Sequence, residues 1–313
     1  MIQETKFKKM KKISILLVCT VLIWGCKDNS KETSEQLNVV TTTSMITDLV
    51  TNIGGDFITV NGLMGAGVDP HLYKASEGDV TKLFNADVIF YNGLHLEGKL
   101  VEVFEKMERT SKTQIPLGES LEKSGLIGSD YFASNYDPHV WFSIPYFKQF
   151  AQEVAAVLSE KDPKNASNFD TNLKQYLLQL EKLETEIKAT IETLPEAKRV
   201  LVTAHDAFNY FGQTYGFEVV GLQGLSTATE AGVKDVQRLT EFIIEKQVKA
   251  IFVESSVPRR TIEALKEAVK ARGFDVKIGG SLYSDALGNT GTVEGTYIGM
   301  FKYNVNTIVN ELK

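Results

Sequence analysis

Parallel α/β sheets in two lobes, joined by one long helix, are the architecture this chain predicts. Two observations carry that expectation. Short apolar runs of strand length alternate with amphipathic segments of helical spacing along most of the 313 residues, the pattern of parallel sheets with crossover helices. The alternation breaks once, after Asp162-Pro163. There Phe169, Leu173, Tyr176, Leu177, Leu180, Leu183, Ile187 and Ile191 recur at helical spacing until Pro195. A helix of about thirty residues spans roughly 45 Å, so it reads as a stiff rod dividing the chain into halves.

Taken in order, residues 37–43 read as a buried first strand, and Ser44 caps a helix carrying Met45, Ile46, Leu49 and Val50. A second strand is expected from Phe57 to Leu63. A helix follows from Gly78 through Leu83 and Phe84, then a third strand at 86–91 and a helix at 97–107. Asp162 as N-cap and Pro163 at the first helical position open the long helix. Beyond it, strands are expected at 198–203, 218–222, 250–253 and 275–278, with helices at 233–246 and 260–272 between them. The domain reading is a signal peptide at 1–25, a flexible tether at 26–37, an N-terminal lobe at 38–161, the linking helix at 162–195 and a C-terminal lobe at 196–313.

The first residues set the compartment. Lys8, Lys9, Lys11 and Lys12 precede an apolar run from Ile13 to Trp24 that ends at Gly25-Cys26. A basic segment followed by about a dozen apolar residues is a secretory signal, too short for a spanning helix. Met10-Lys11-Lys12 is a complete basic segment by itself, so a start at Met1 or at Met10 leaves a working signal. A small residue before cysteine resembles a bacterial lipobox, which predicts cleavage before Cys26 and lipid on its thiol. Residues 27–37 are polar and lack aromatics, as a tether should be. The expected location is extracytoplasmic, on the membrane through that lipid. Both cysteines, Cys19 and Cys26, fall in this leader, so a metal site in the domain must use nitrogen and oxygen. The net charge of −6 and the lack of a basic block argue against nucleic acid as a partner.

The chain has four histidines, and three adjoin an aspartate: Asp69-Pro70-His71, Asp137-Pro138-His139 and His205-Asp206. The first and third follow apolar runs, 58–64 and 199–204, and Val140-Trp141-Phe142 follows the second. In α/β proteins ligands bind where strands end and loops begin, and imidazole suits zinc and several other first-row ions. These residues predict a metal site assembled from distant parts of the chain. The aspartates serve either to orient imidazoles or to cap turns.

Eight stretches carry a closer likeness, in order along the domain. They are 67–73 (Gly67 to Tyr73), 92–98 (Asn92 to Gly98), 137–141, 203–211, 225–231, 252–256, 282–288 and 295–299. Together they resemble the TroA-like zinc- and manganese-binding lipoproteins of metal ABC importers. The resemblance implies two lobes joined by a backbone helix, one divalent ion between them, and His71, His139, His205 and Asp285 as its ligands. It implies a non-enzymatic, monomeric binding protein whose partner is a membrane permease. Asp285 rests on that likeness, since nothing periodic selects it from forty carboxylates. Glu254, which also follows a strand, competes with it. His95 sits in a family loop with no ligand role. Histidine at 205, where manganese or iron binders commonly carry glutamate, leans towards Zn2+ over Mn2+, whereas the histidine-rich loop of many zinc binders is missing from 118–136. A secreted zinc hydrolase and a metal-stabilised surface adhesin are the rival readings; the first lacks a His-Glu-x-x-His motif.

Overall fold

The computed structural model describes residues 36–110, 112–129 and 132–313. The signal segment, Cys26 and most of the tether lie outside these residues.

The N-terminal half opens with β1 (Leu37–Thr41), α1 (Ser44–Gly54), β2 (Ile58–Gly62), α2 (Glu77–Asn85), β3 (Val88–Tyr91), α3 (Val101–Glu108) and β4 (Thr113–Pro116). Its four strands form one parallel sheet in the order β2-β1-β3-β4. Buried Val40, Ile89, Leu83 and Leu100 pack under one face, while Val39, Val88 and Phe90 join the main core on the other. Two antiparallel-packed helices follow, α4 (Ile144–Lys161) and α5 (Ala166–Glu192). The C-terminal half repeats the alternation with β5 (Val200–His205), α6 (Asn209–Tyr215), β6 (Glu218–Gln223), α7 (Val233–Glu245), β7 (Ala250–Glu254), α8 (Arg260–Ala271), β8 (Lys277–Leu282) and α9 (Tyr297–Leu312). β5 pairs with β6 and β7 with β8, both in parallel. β5 also lies beside β7, without a continuous ladder between the pairs.

The α/β reading and the long helix are borne out, with corrections at element ends. α5 is 27 residues and about 40 Å long at the usual rise, and it buries Phe169, Tyr176, Leu180, Leu183, Ile187 and Ile191. Asp162 does not cap it. A 3₁₀ turn, Pro163–Asn165, intervenes, and the Asp162 carboxylate accepts the Asn165 side-chain amide instead. Ser44 is not the cap of α1 either. Thr43 Oγ1 accepts the Ile46 N–H, which frees Ser44 Oγ to accept the Leu287 N–H from the far half of the chain at 2.8 Å. Phe84 is 43% exposed and contributes little to the core.

The helix expected from residue 97 starts only at Val101. Gly93, Leu94 and His95 all have positive φ, between 51° and 74°, which costs the two non-glycine residues strain. The turn is held by Glu97. Its buried carboxylate accepts the Thr42 hydroxyl at 2.6 Å and the N–H groups of Asn92 and Gly93 at 2.8 and 3.2 Å. The chain runs through turns from Leu94 to Leu100, and helical geometry begins only at Val101.

Candidate metal centre

Four side chains converge where the two halves meet. One donor atom from each of His71, His139, His205 and Asp285 lies within 4.8 Å of every other, and all four residues are buried. His71 comes from the connection after β2, His139 from the one before α4, His205 from the last position of β5, and Asp285 from the connection after β8. Each is placed by a local device. His71 and His139 donate their backbone N–H groups to Asp69 and Asp137, both at 2.9 Å, the turn that an aspartate two residues earlier favours. The peptide before His139 is held further by Asn92 Nδ2, which donates to the Pro138 carbonyl at 3.0 Å. The His205 N–H donates to Glu254 Oε1 at 2.9 Å. Trp141 Nε1 donates to the Ser284 carbonyl at 3.0 Å, which fixes the chain before Asp285.

The rings are oriented as well as placed. Asp137 Oδ1 lies 2.7 Å from His139 Nδ1. Glu254 Oε2 lies 2.6 Å from His205 Nδ1, an ion-pair contact without the angles of a regular hydrogen bond. A carboxylate on Nδ1 keeps the proton there and turns the Nε2 lone pair inward. Glu254 therefore stands behind His205 and outside the group of four. Asp69 does not touch a ring; its second oxygen accepts the Thr227 hydroxyl. Asp206 accepts the Gly221 N–H at 2.6 Å and supports the β5–β6 edge. His95 is exposed, 62° in φ, and lines a cavity of about 550 Å³ with Tyr91, Glu97 and Phe104; it is not one of the four, although its ring shares the Phe132 neighbour of His71.

Three of the spacings are close to those a small divalent ion requires, within a set whose donors spread over up to 4.8 Å. Nε2 of His71 and Nε2 of His139 are 3.3 Å apart, and the Asp285 oxygens lie 3.7 Å from His139 Nε2 and 3.2 Å from His205 Nε2. A tetrahedral ion with bonds of about 2.0–2.1 Å needs donor–donor edges of about 3.3–3.4 Å. Three nitrogens and a carboxylate, without sulfur, suit zinc best and admit manganese.

The electrostatics of the four residues differ. Burial, reinforced by His139 and His205, depresses the His71 pKa to about 3 against the pull of Asp285, so this imidazole is a neutral donor at pH 7. Burial also opposes charge on Asp285, yet the three imidazoles, His205 foremost, outweigh it and hold the carboxyl well below its ordinary range. At His205 burial is overcome by Asp285 and Glu254, which raise its pKa well above the usual value. Without an ion, the site offers a carboxylate and a proton on His205. A divalent cation displaces that proton.

This architecture has relatives. Residues 39–311 match the family model of zinc-uptake complex component A, periplasmic. The chain belongs to that family. It is 48% identical over 303 residues to the manganese-binding lipoprotein MntA of Bacillus subtilis (strain 168), covering 96% of this chain and 98% of that one. It is 48% identical over 274 residues to the zinc-binding protein TroA of Treponema pallidum (strain Nichols), covering 88% of each. The solved structure of periplasmic TroA from Treponema pallidum superimposes with a TM-score of 0.86 at 47% identity, over 88% of this chain and 99% of that one. The likeness drawn from the eight sequence stretches is thereby borne out, as is the fold it implied.

Sequence reasoning missed the supports of the site. The sequence offers Glu254 as a rival ligand and not as the partner of a histidine, because that role depends on β7 lying beside β5. Asn92 follows the strand read at 86–91, and Glu97 opens the helix read at 97–107. The glycine and the two hydrogen-bonding side chains of Asn92-Gly93 and Glu97 are the signal that could have marked a structured turn.

Proposed function

We propose that the chain is the extracytoplasmic binding component of a metal ABC importer. It captures one divalent transition-metal ion, zinc or manganese, between two lobes and presents it to a membrane permease. The observation that carries this reading is the buried convergence of His71, His139, His205 and Asp285 from both halves of the chain. We take residues 38–161 and 196–313 as the two lobes, with residues 162–195 as the link between them, and the four residues as ligands of the ion. Family membership and the names of the relatives support transport as the purpose of binding.

Four protein donors fill a tetrahedral ion, whereas a catalytic zinc keeps a position for water. The reading is therefore capture and release without catalysis. Affinity among divalent ions rises from manganese to zinc for such donors, so zinc is expected to bind more tightly in vitro whichever ion is carried. We place the protein as a monomer on the outer side of a membrane, tethered by lipid on Cys26.

Titration of metal-free protein with zinc, and with manganese in competition, tests the reading. Saturation at one equivalent of either ion is expected. Saturation at zero, or at two equally tight sites, contradicts it.

A further inference from the structure

Each Asp-Pro-His loop uses its aspartate twice, and the two aspartates reach across to the C-terminal half in unequal ways. Asp137 gives one oxygen to the His139 backbone and ring and the other to Asn209 Nδ2 of α6 at 3.0 Å. That tie is reinforced. Asp137 is fully buried, and Tyr210, also on α6 and in the main core, donates its hydroxyl to the Asp137 carbonyl at 3.1 Å and accepts the Ile127 N–H at 3.1 Å.

Asp69 gives one oxygen to the His71 backbone and the other to Thr227 Oγ1 at 2.6 Å. Among the described residues, no second hydrogen bond reinforces this tie. Thr227 is 9% exposed but lies in the connection between β6 and α7, flanked by exposed Gly224, Ala228, Thr229 and Glu230. Beside it opens a cavity of about 420 Å³ lined by Phe132, Asp206, Gln223, Gly224 and Ser226. The Phe132 ring stands edge-on to His71 at 6.5 Å between centroids. His71 is also the most accessible of the four converging residues, at 4% against 0–1% for the others.

We infer that the Asp69–Thr227 hydrogen bond is a latch that sets the rate of metal release, with the ion passing on the His71 side while the Asp137–Asn209–Tyr210 side stays fixed. The inference rests on the metal-capture reading above. Its physical basis is that one carboxylate joins two things: the backbone position of His71 and the hold on the opposite loop. A hydrogen bond to a charged acceptor is stronger than a neutral one. When Thr227 lets go, its loop has open space to move into, and the Asp69 end of the His71 turn loses its outer anchor. Asp69 and Thr227 are positioning residues, since they act on the ion through His71.

Stopped-flow kinetics of zinc-loaded full-length protein mixed with excess chelator tests the latch, with Thr227→Val and Thr227→Ser as variants. Thr227→Val keeps the size of the side chain and removes the donor. It is expected to raise the release rate about tenfold or more while leaving the association rate unchanged. Thr227→Ser, which keeps the hydroxyl, should release at a near wild-type rate. Release from Thr227→Val at the wild-type rate overturns the latch, and so does equally fast release from both variants. A wild-type protein that takes up no zinc overturns the capture reading itself, and the loading step distinguishes that outcome from the other two.

Discussion

His95 and His205 carry the same imidazole, and their surroundings give them opposite roles. His205 is fully buried between Asp285 and Glu254, whereas His95 is exposed on a turn. Replacing His205 by Ala removes one of four donors and leaves Glu254 and Asp285 without their partner. Zinc affinity is expected to fall by at least a hundredfold, while His95→Ala keeps it within about threefold; competition against a chelator measures both. The reverse ranking would remove His205 from the ligand set. Asp48 offers a test of a different kind. Its carboxylate accepts the Tyr297 N–H at the start of α9, yet burial raises its pKa from 3.8 to about 6. The folded state therefore holds this proton more tightly than the unfolded chain. Its contribution is greatest below pH 3.8 and is lost as pH rises through about 6. Asp48→Asn keeps an acceptor without the charge. In urea unfolding of metal-free protein, the variant should gain on wild type by roughly 1–3 kcal/mol between pH 4 and pH 7. A difference that does not change with pH contradicts the assignment.

At the scale of elements, the Asp-Pro-His turns were legible because their geometry is local: the aspartate, the proline and the backbone N–H it serves lie within three residues. The long helix was legible because its apolar spacing persists over many turns. β4 was not, since Thr113–Pro116 is four residues ending in proline and carries no periodic signal. Asp285 and the service of Glu254 to His205 depend on which strands become neighbours, information that no window of sequence contains. Likeness to the family supplied Asp285, but nothing equivalent supplied the role of Glu254. The closeness of β5 and β6 yields a further expectation. A Cβ on Gly221 would lie 2.5 Å from the His205 carbonyl carbon and 2.5 Å from the Asp206 nitrogen, so both contacts are with backbone. Gly221→Ala must push β6 away from β5 exactly where His205 ends its strand. A loss of about 1–3 kcal/mol in stability is expected, with weakened zinc binding. Thermal unfolding with and without metal reads both, and an unperturbed variant would show that this strand contact does not position His205.

For the whole molecule, one apolar core runs from α1 through α4 and α5 to α9, and the candidate site gathers the connections after β2 and β8, the one before α4 and the last residue of β5. A buried ion bridging the halves should stabilise them as a unit. At a thousand times its dissociation constant, the gain is about 4 kcal/mol by linkage. The donors themselves are open to direct observation. X-ray absorption at the zinc edge of protein loaded with one equivalent examines them directly. A shell of nitrogen and oxygen only is expected, with outer scattering from three imidazoles and one carboxylate. A shell with two or fewer imidazoles would contradict that set of ligands.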